Sequence, residues 1–466
     1  MVLSCLVLSA CPTPTDVDGG SGGGSGGGIS GGGGGATGGG GATGGGGGAT
    51  GGGGGATTGG GGGATCGGGT GSDAGLPSCT FDAPAFLGSV SNPAGGLITS
   101  AVAITSGGEA IYAWTQDLNV RWRVQSSSGV LGAPVDVSAV GVKVIVAAAG
   151  GEHALIAYSA SAAGGYETRA HRYSTTGGWA PVLTVPPVSA TSGLLQLALE
   201  PDGTASMWRQ DAYGSSPIVE YTSVGTGPIG TPHQLAAGGF LYSAARGGGV
   251  RVAVTMASTS ATPVATFSTG TTDDVVQLTG AQYANDAYAT AVADDGTVVI
   301  AGQFRINGSV GIGAVTRVGS IVSAPEAITP AVDGGMFGPA WRTLGVLAGA
   351  CGQGRVVWLE GLTVFASRRV PGAGWTAPQV IAVSSLVTPR FTQLSATRGF
   401  LHVETANGPR RIELNVDGFA GPGEFSGDFT GSTYGVDWAA SHSGAAVLKT
   451  TTASDGGWIV LAAQCR

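Results

Sequence analysis

The strongest constraint on this chain is a glycine turn that returns about every 48 residues. It stands at Gly107-Gly108, Gly150-Gly151, Asp202-Gly203, Gly247–Gly249, Asp295-Gly296, Gly352–Gly354, Arg398-Gly399 and Ser443-Gly444, with a mean spacing of 48 residues from Gly108 to Gly444. Glycine, beside Asp in two copies, supplies the positive φ that a tight hairpin needs. The clearest copy runs from Ile98 to Ser138. An apolar strand (Ile98 to Thr105) meets the turn, a second strand reaches Ala113-Trp114, and a third covers Val120–Gln125. A fourth, Gly132 to Val137, ends the unit. Rings recur near the end of the second strand, at Trp114, Tyr158, Trp208 and Trp358. A proline recurs near the end of the unit, at Pro134, Pro181, Pro232, Pro325 and Pro378. Proline suits an outer strand with one edge toward solvent.

Four short strands in each 40-to-50-residue repeat predict an all-β chain built as a β-propeller. The count gives eight four-stranded blades, or seven if two units merge. The last unit has three strands, near Gly435–Ser441, Ala445–Thr450 and Trp458–Ala463. The stretch from Phe81 to Leu87 reads as its missing fourth strand, so the N-terminal end of the domain closes the ring. Cys79 and Cys465 then fall where an ordinary blade has its connecting turn, and a disulfide there is expected in an oxidising compartment. In the chain-entropy model such a bond contributes about 4–5 kcal/mol. The propeller is thus assigned to residues 79–466. Cys351, at the end of a predicted inner strand, reads as a small buried apolar side chain, and Cys66 lies in the segment ahead of the domain.

Residues 12–78 are a linker. Runs of Gly broken by Ala-Thr pairs bury nothing and cannot offset their ordering entropy, so coil is expected. Gly19-Gly20-Ser21-Gly22-Gly23 fits the G-x-S-x-G pattern of hydrolases only formally, because neither strand nor helix flanks it. Residues 1–11 are a short apolar run closing on Leu8-Ser9-Ala10-Cys11. This resembles the lipobox of bacterial lipoproteins, although no Lys or Arg precedes the run. The resemblance implies a signal peptide, lipidation of Cys11, and attachment to the membrane through that anchor alone. Pro12, in place of the Asp that marks inner-membrane retention in enteric bacteria, favours the outer membrane or cell surface. The net charge of −8 is spread thinly, with no basic stripe, which argues against a nucleic-acid partner.

The Gly-Trp endings at Trp179 and Trp375 make the repeats similar to bacterial sialidase-type, BNR-like propellers. The Asp-box of that family is absent, and Ser454-Asp455-Gly456-Gly457-Trp458 lacks its spacing. Catalytic residues cannot be assigned. The five histidines show no metal-ligand spacing, Asp294-Asp295-Gly296 is one of the repeating turns, and no calcium loop is present. Arg368-Arg369 and Arg410-Arg411 fall on third strands, where neighbouring side chains face opposite ways. No cofactor or metal is expected. The candidate binding face is the end carrying the second-to-third-strand and blade-to-blade loops. Asp117, Tyr166, Asp211, Tyr213, Tyr283, Asn285, Asp286, Arg305, Asn307, Phe337 and Trp341 lie there. Rings beside Asp, Asn and Arg suit carbohydrate, and Val332–Thr343 is the longest connection between blades. The expectation is a monomeric, non-catalytic envelope lipoprotein that binds a glycan or a protein. The alternative is a glycoside-active hydrolase or lyase, needing carboxylates about 5–10 Å apart.

Overall fold

A computed structural model describes residues 82–465, apart from the stretches 91–98, 186–194, 211–217, 258–261, 282–287, 330–340, 385–388, 419–422, 425–432 and 453–457 and several shorter gaps. The chain divides into two units, Met1–Gly63 and Ala64–Arg466, and every described residue belongs to the second.

The described residues form eight antiparallel sheets, each a meander of four strands in chain order, three of them with an extra short strand. In the first sheet these are Ser100–Ile104, Ala110–Gln116, Asn119–Gln125 and Val135–Ser138. The eighth sheet is the exception in connectivity. Thr433–Ser441, Gly444–Thr452 and Trp458–Cys465 are followed on the sheet by Ala85–Val90, which pairs antiparallel with Trp458–Cys465. That strand begins after Pro84, which has no N–H to give to a ladder, so it lies further along than the Phe81–Leu87 expected. Asp82 still reaches the sheet, its N–H bonding the carbonyl of Gln464 at 2.9 Å. The first strands of successive sheets lie side by side, and Thr433–Ser441 of the eighth in turn lies against Ser100–Ile104 of the first. The architecture is that of a β-propeller.

The recurring turn has one geometry in several sheets. Gly108, Gly203 and Gly296 have φ of 83°, 85° and 79°. Each donates its N–H to the carbonyl three residues back, at Thr105, Glu200 and Ala293, over 2.9–3.0 Å. Asp202 and Asp295 brace two of these turns by accepting the N–H of Thr204 and Thr297 at 2.8 and 2.9 Å. In the sixth sheet the first strand ends at Ala348 and a 3-10 turn, Ala350–Gly352, follows. Cys351 sits in that turn with φ 58°, half-buried and disulfide-bonded. This corrects the expectation of a free apolar side chain ending an inner strand.

The core is a series of seams between sheets. Alternation along Ala110–Gln116 shows why: Ile111 and Ala113 pack toward the second sheet with Ile156 and Tyr158, while Tyr112 and Trp114 pack toward the eighth with Leu448 and Val460. A second strand therefore has no solvent face, and Trp114, Tyr158, Trp208 and Trp358 are all at most 1% exposed. Trp179 and Trp375, from the Gly-Trp endings, fold back into the seam before their own sheet. Trp179 lies 5.2 Å from Trp122 and 5.1 Å from Tyr173, and Trp375 packs with Trp358 and Val356. The endings are therefore packing devices.

Candidate functional site

The two ends of the sheets differ. At one end stand the first-to-second-strand turns, and these are stitched from sheet to sheet. The Ser106 N–H bonds the carbonyl of Gly151 at 2.8 Å, and the Ala348 N–H bonds that of Ala396 at 2.8 Å. A Cβ at Gly150 would meet the Glu200 carbonyl oxygen at 2.5 Å, and one at Gly247 the Val292 oxygen at 2.5 Å, so glycine is required where these backbones abut. The carboxylates at this end join in. Glu152 accepts from Thr175 Oγ1 at 2.6 Å and Ser106 Oγ at 2.8 Å, and these bonds, Thr175 first, hold its carboxyl below the usual range. Asp202 is held low by the Thr204 backbone N–H first, despite burial. Glu200 pairs with Arg246 at 3.0 Å, and Asp295 Oδ2 accepts the Cys351 N–H at 2.9 Å.

The seams take up further charge. Glu220, fully buried, pairs with Arg251 at 2.9 Å. Tyr173 donates to Glu109 at 2.7 Å, and burial first, then that bond, pushes its hydroxyl up to about 12. Asp273 accepts from Ser268 Oγ at 2.6 Å and lies 2.9 Å from His233 Nε2. Burial pushes its carboxyl up, but the bonds from Ser268, His233 and the Ala236 N–H outweigh it and hold it low. Arg368 and Arg369 do face opposite ways. Arg368 donates to the Asp417 carbonyl of the seventh sheet at 2.8 Å, and Arg369 to Glu326 of the fifth at 2.8 Å.

The other end carries the second-to-third-strand connections, the face singled out from sequence. Tyr166 is the second residue of the third strand of the second sheet, Gly165–Ser174, and its carbonyl accepts from Arg209 Nη2 at 2.6 Å. Arg305 is exposed near the end of Val298–Ile306. Asn307, exposed, makes a two-residue turn with Gly308, with φ of 53° and 88°. Positive φ at both positions is the demand of a type I′ hairpin, which explains the Asn-Gly pair structurally. Tyr166 and Arg305-Asn307 sit on the second and fifth sheets, so they share an end without being neighbours. Trp341 is placed differently. It is 5% exposed, opens the first strand of the sixth sheet, and packs against Trp358 in the seam with the fifth. Its ring is part of the core and not exposed on a loop as expected, because the strand begins within the expected loop Val332–Thr343. Asp117, Asp211, Tyr213, Tyr283, Asn285, Asp286 and Phe337 lie outside the described residues, as do Cys11, Cys66 and Cys79.

Reasoning from sequence missed the buried arginines Arg172, Arg209, Arg317 and Arg355, each at most 7% exposed. Their signal was the placing of single arginines on second and third strands, where one side chain in two must enter a seam. Among the described residues no group of three or more His, Cys, Asp or Glu side chains is placed to hold a metal ion.

No protein-family model matches the chain. No curated protein matches it either. Solved structures do. The β-propeller domain of the Trilobed protease from Pyrococcus furiosus is 8% identical, with a TM-score of 0.42, over 68% of this chain and 96% of that one. An ulvan lyase, from a new family of polysaccharide lyase, is 8% identical with a TM-score of 0.43, over 74% and 96%. AztD from Citrobacter koseri is 10% identical with a TM-score of 0.38, over 70% and 86%.

Proposed function

We propose that this chain is an exported lipoprotein whose propeller is a non-catalytic binding module. Residues 1–11 are its signal peptide, Cys11 its lipidated residue, and residues 12–78 a flexible linker holding the domain off the outer membrane or cell surface. The eight sheets make an eight-bladed ring of the sialidase-like, BNR type, closed by Ala85–Val90 and by a disulfide between Cys79 and Cys465. The protein acts as a monomer, without cofactor.

The observation that carries this reading is the contrast between the two ends of the sheets. At the turn end, backbone and carboxylates are engaged with the next sheet. At the other end Arg305 and Asn307 stand exposed. Polar groups left to solvent at the ends of rigid strands are the ordinary setting for recognition on a propeller, and rings with Asp, Asn and Arg suit a glycan or an envelope protein.

The test is a glycan-array and pull-down screen with the full chain, run in parallel with Arg305→Ala and Asn307→Asp, which leave the seams untouched. Saturable binding that Arg305→Ala weakens is expected. Cleavage of a bound glycan, read by the release of new reducing or unsaturated ends, would replace this reading with the hydrolase or lyase. No binding anywhere would leave a purely structural envelope element.

A further inference from the structure

Among the described residues, several arginines that enter the seams have acceptors there. Arg172, 3% exposed, donates to Ser223 Oγ and the Gly225 carbonyl of the next sheet. Arg209 donates to the Tyr166 carbonyl. Arg369 grips Glu326, Nη2 at 2.8 Å and Nε at 3.2 Å, and adds the Gly352 carbonyl at 2.8 Å. Arg317 has none of these. It is 7% exposed, with its guanidinium carbon 4.7 Å from the centre of the Phe267 ring, and its Nε and Nη1 are buried without a hydrogen-bond partner.

The comparison with Arg369 shows what is missing. Both arginines lie on third strands, opposite the first residue of the second strand: Arg317 opposite Val298 and Arg369 opposite Gly354. Both turn to the preceding sheet. In the seam of Arg369 the outer strand supplies Glu326, cross-strand from Ala314. In the seam of Arg317 the outer-strand residue cross-strand from Ala265 is Val276, packed into the apolar cluster with Phe267. The nearest carboxylate on that strand is Asp274, cross-strand from Phe267. It is exposed and makes no ion pair among the described residues. The Phe267 ring face satisfies part of the positive charge, but a ring accepts no bond from Nε or Nη1. A buried guanidinium without an acceptor is costly, and a planar oxyanion is the group its geometry suits.

We propose that the seam between the fourth and fifth sheets is an anion-binding site, with Arg317 as its anchor, for a carboxylate or sulfate group. It is separate from the face carrying Asn307. The eight residue steps from Ile306 to Val298 put the two at opposite ends of one hairpin, about 26 Å apart. Asp274, cross-strand from the Phe267 whose ring lies under Arg317, is the nearest carboxylate on the outer strand of this seam, and removing its charge should favour an anion there.

The test is thermal unfolding of the full chain in sodium sulfate, sodium acetate and a soluble polyuronate, each against sodium chloride at equal ionic strength. Sulfate stabilises proteins generally, so the reading is the difference between wild type and Arg317→Met. A saturable rise of a few degrees in wild type, lost in Arg317→Met and enlarged in Asp274→Asn, is expected. A response to sulfate and acetate assigns the site to free anions. A response to the polyuronate alone assigns it to groups carried on a polymer. Arg317→Met relieves an uncompensated charge, so its midpoint in chloride should be no lower than that of wild type, and a lost response cannot then be ascribed to misfolding. Equal responses in wild type and Arg317→Met, or no response beyond chloride, would overturn the proposal.

Discussion

His171 should make the seam between the first and second sheets sensitive to acid. The ring is 9% exposed, stacks on Tyr158 with centroids 5.7 Å apart, and lies 4.6 Å from Trp122. Burial first, then the charge of Arg169, pushes its pKa from 6.5 down to about 4. The folded protein therefore keeps the ring neutral where the unfolded chain protonates it. Between pH 6.5 and 4 the unfolded state binds more protons, so stability rises with pH across that window and is lost as pH falls through it. Above 6.5 both states are neutral and below 4 both are charged, so the contribution is flat outside. A shift of this size corresponds to a ceiling of about 3 kcal/mol. The measurement is urea unfolding at intervals from pH 7.5 to 3.5 for wild type and His171→Phe, which keeps a ring in the seam but cannot titrate. Subtracting the two curves removes the carboxylates, which titrate in both. The wild type should lose up to about 3 kcal/mol relative to the variant, almost all between pH 6.5 and 4. A difference that does not change with pH, or one that favours wild type at low pH, would refute the assignment of a buried neutral imidazole.

Three further outcomes follow from the packing. Trp114→Ala should cost about 3–5 kcal/mol in unfolding free energy, since the indole is wholly buried between the eighth and first sheets. Gly150→Ala should cost about 1–3 kcal/mol, because its Cβ would stand 2.5 Å from the Glu200 carbonyl, whereas Gly372→Ala, where nothing lies within 4 Å, should show only the smaller strain of its positive φ. Glu220→Gln should cost about 3–5 kcal/mol by leaving Arg251 in the seam with a weakened partner, while the double change to Leu and Met should be near neutral.

How much of this could be read in the sequence depends on whether a residue's role is local. The turn is local: Asp202-Gly203 and Asp295-Gly296 need only the positive φ of one residue and the Asx bond of its neighbour, and so they announce themselves. That a strand ahead of the first unit pairs with the last one was also legible, because counting strands left one unit short by one, but its place was not: the strand that pairs with Trp458–Cys465 is Ala85–Val90 and not the expected Phe81–Leu87. The fate of Trp341 was not legible. A tryptophan after a loop reads the same whether its ring turns outward or enters a seam, and only the start of the strand decides. Arg368 and Arg369 show the intermediate case. Period-two alternation put them on opposite faces, but their partners, Asp417 and Glu326, belong to sheets that are far away along the chain.

The same alternation separates stability from recognition here. A second or third strand of a central sheet offers both faces to neighbouring sheets, so a charged residue on it must find a partner across a seam. Arg251 does so with Glu220, and Arg369 with Glu326. Charges spent in this way are fixed in place by the packing around them and are unavailable to a substrate. Among the described residues, two kinds of place are therefore proposed for binding: the strand ends, where Arg305 and Asn307 are exposed, and a seam whose counter-charge is missing. Arg317 is that second kind, which is why its response to anions and the ligand screen on the far face report on different parts of the molecule. A variant at one should leave the readout at the other unchanged.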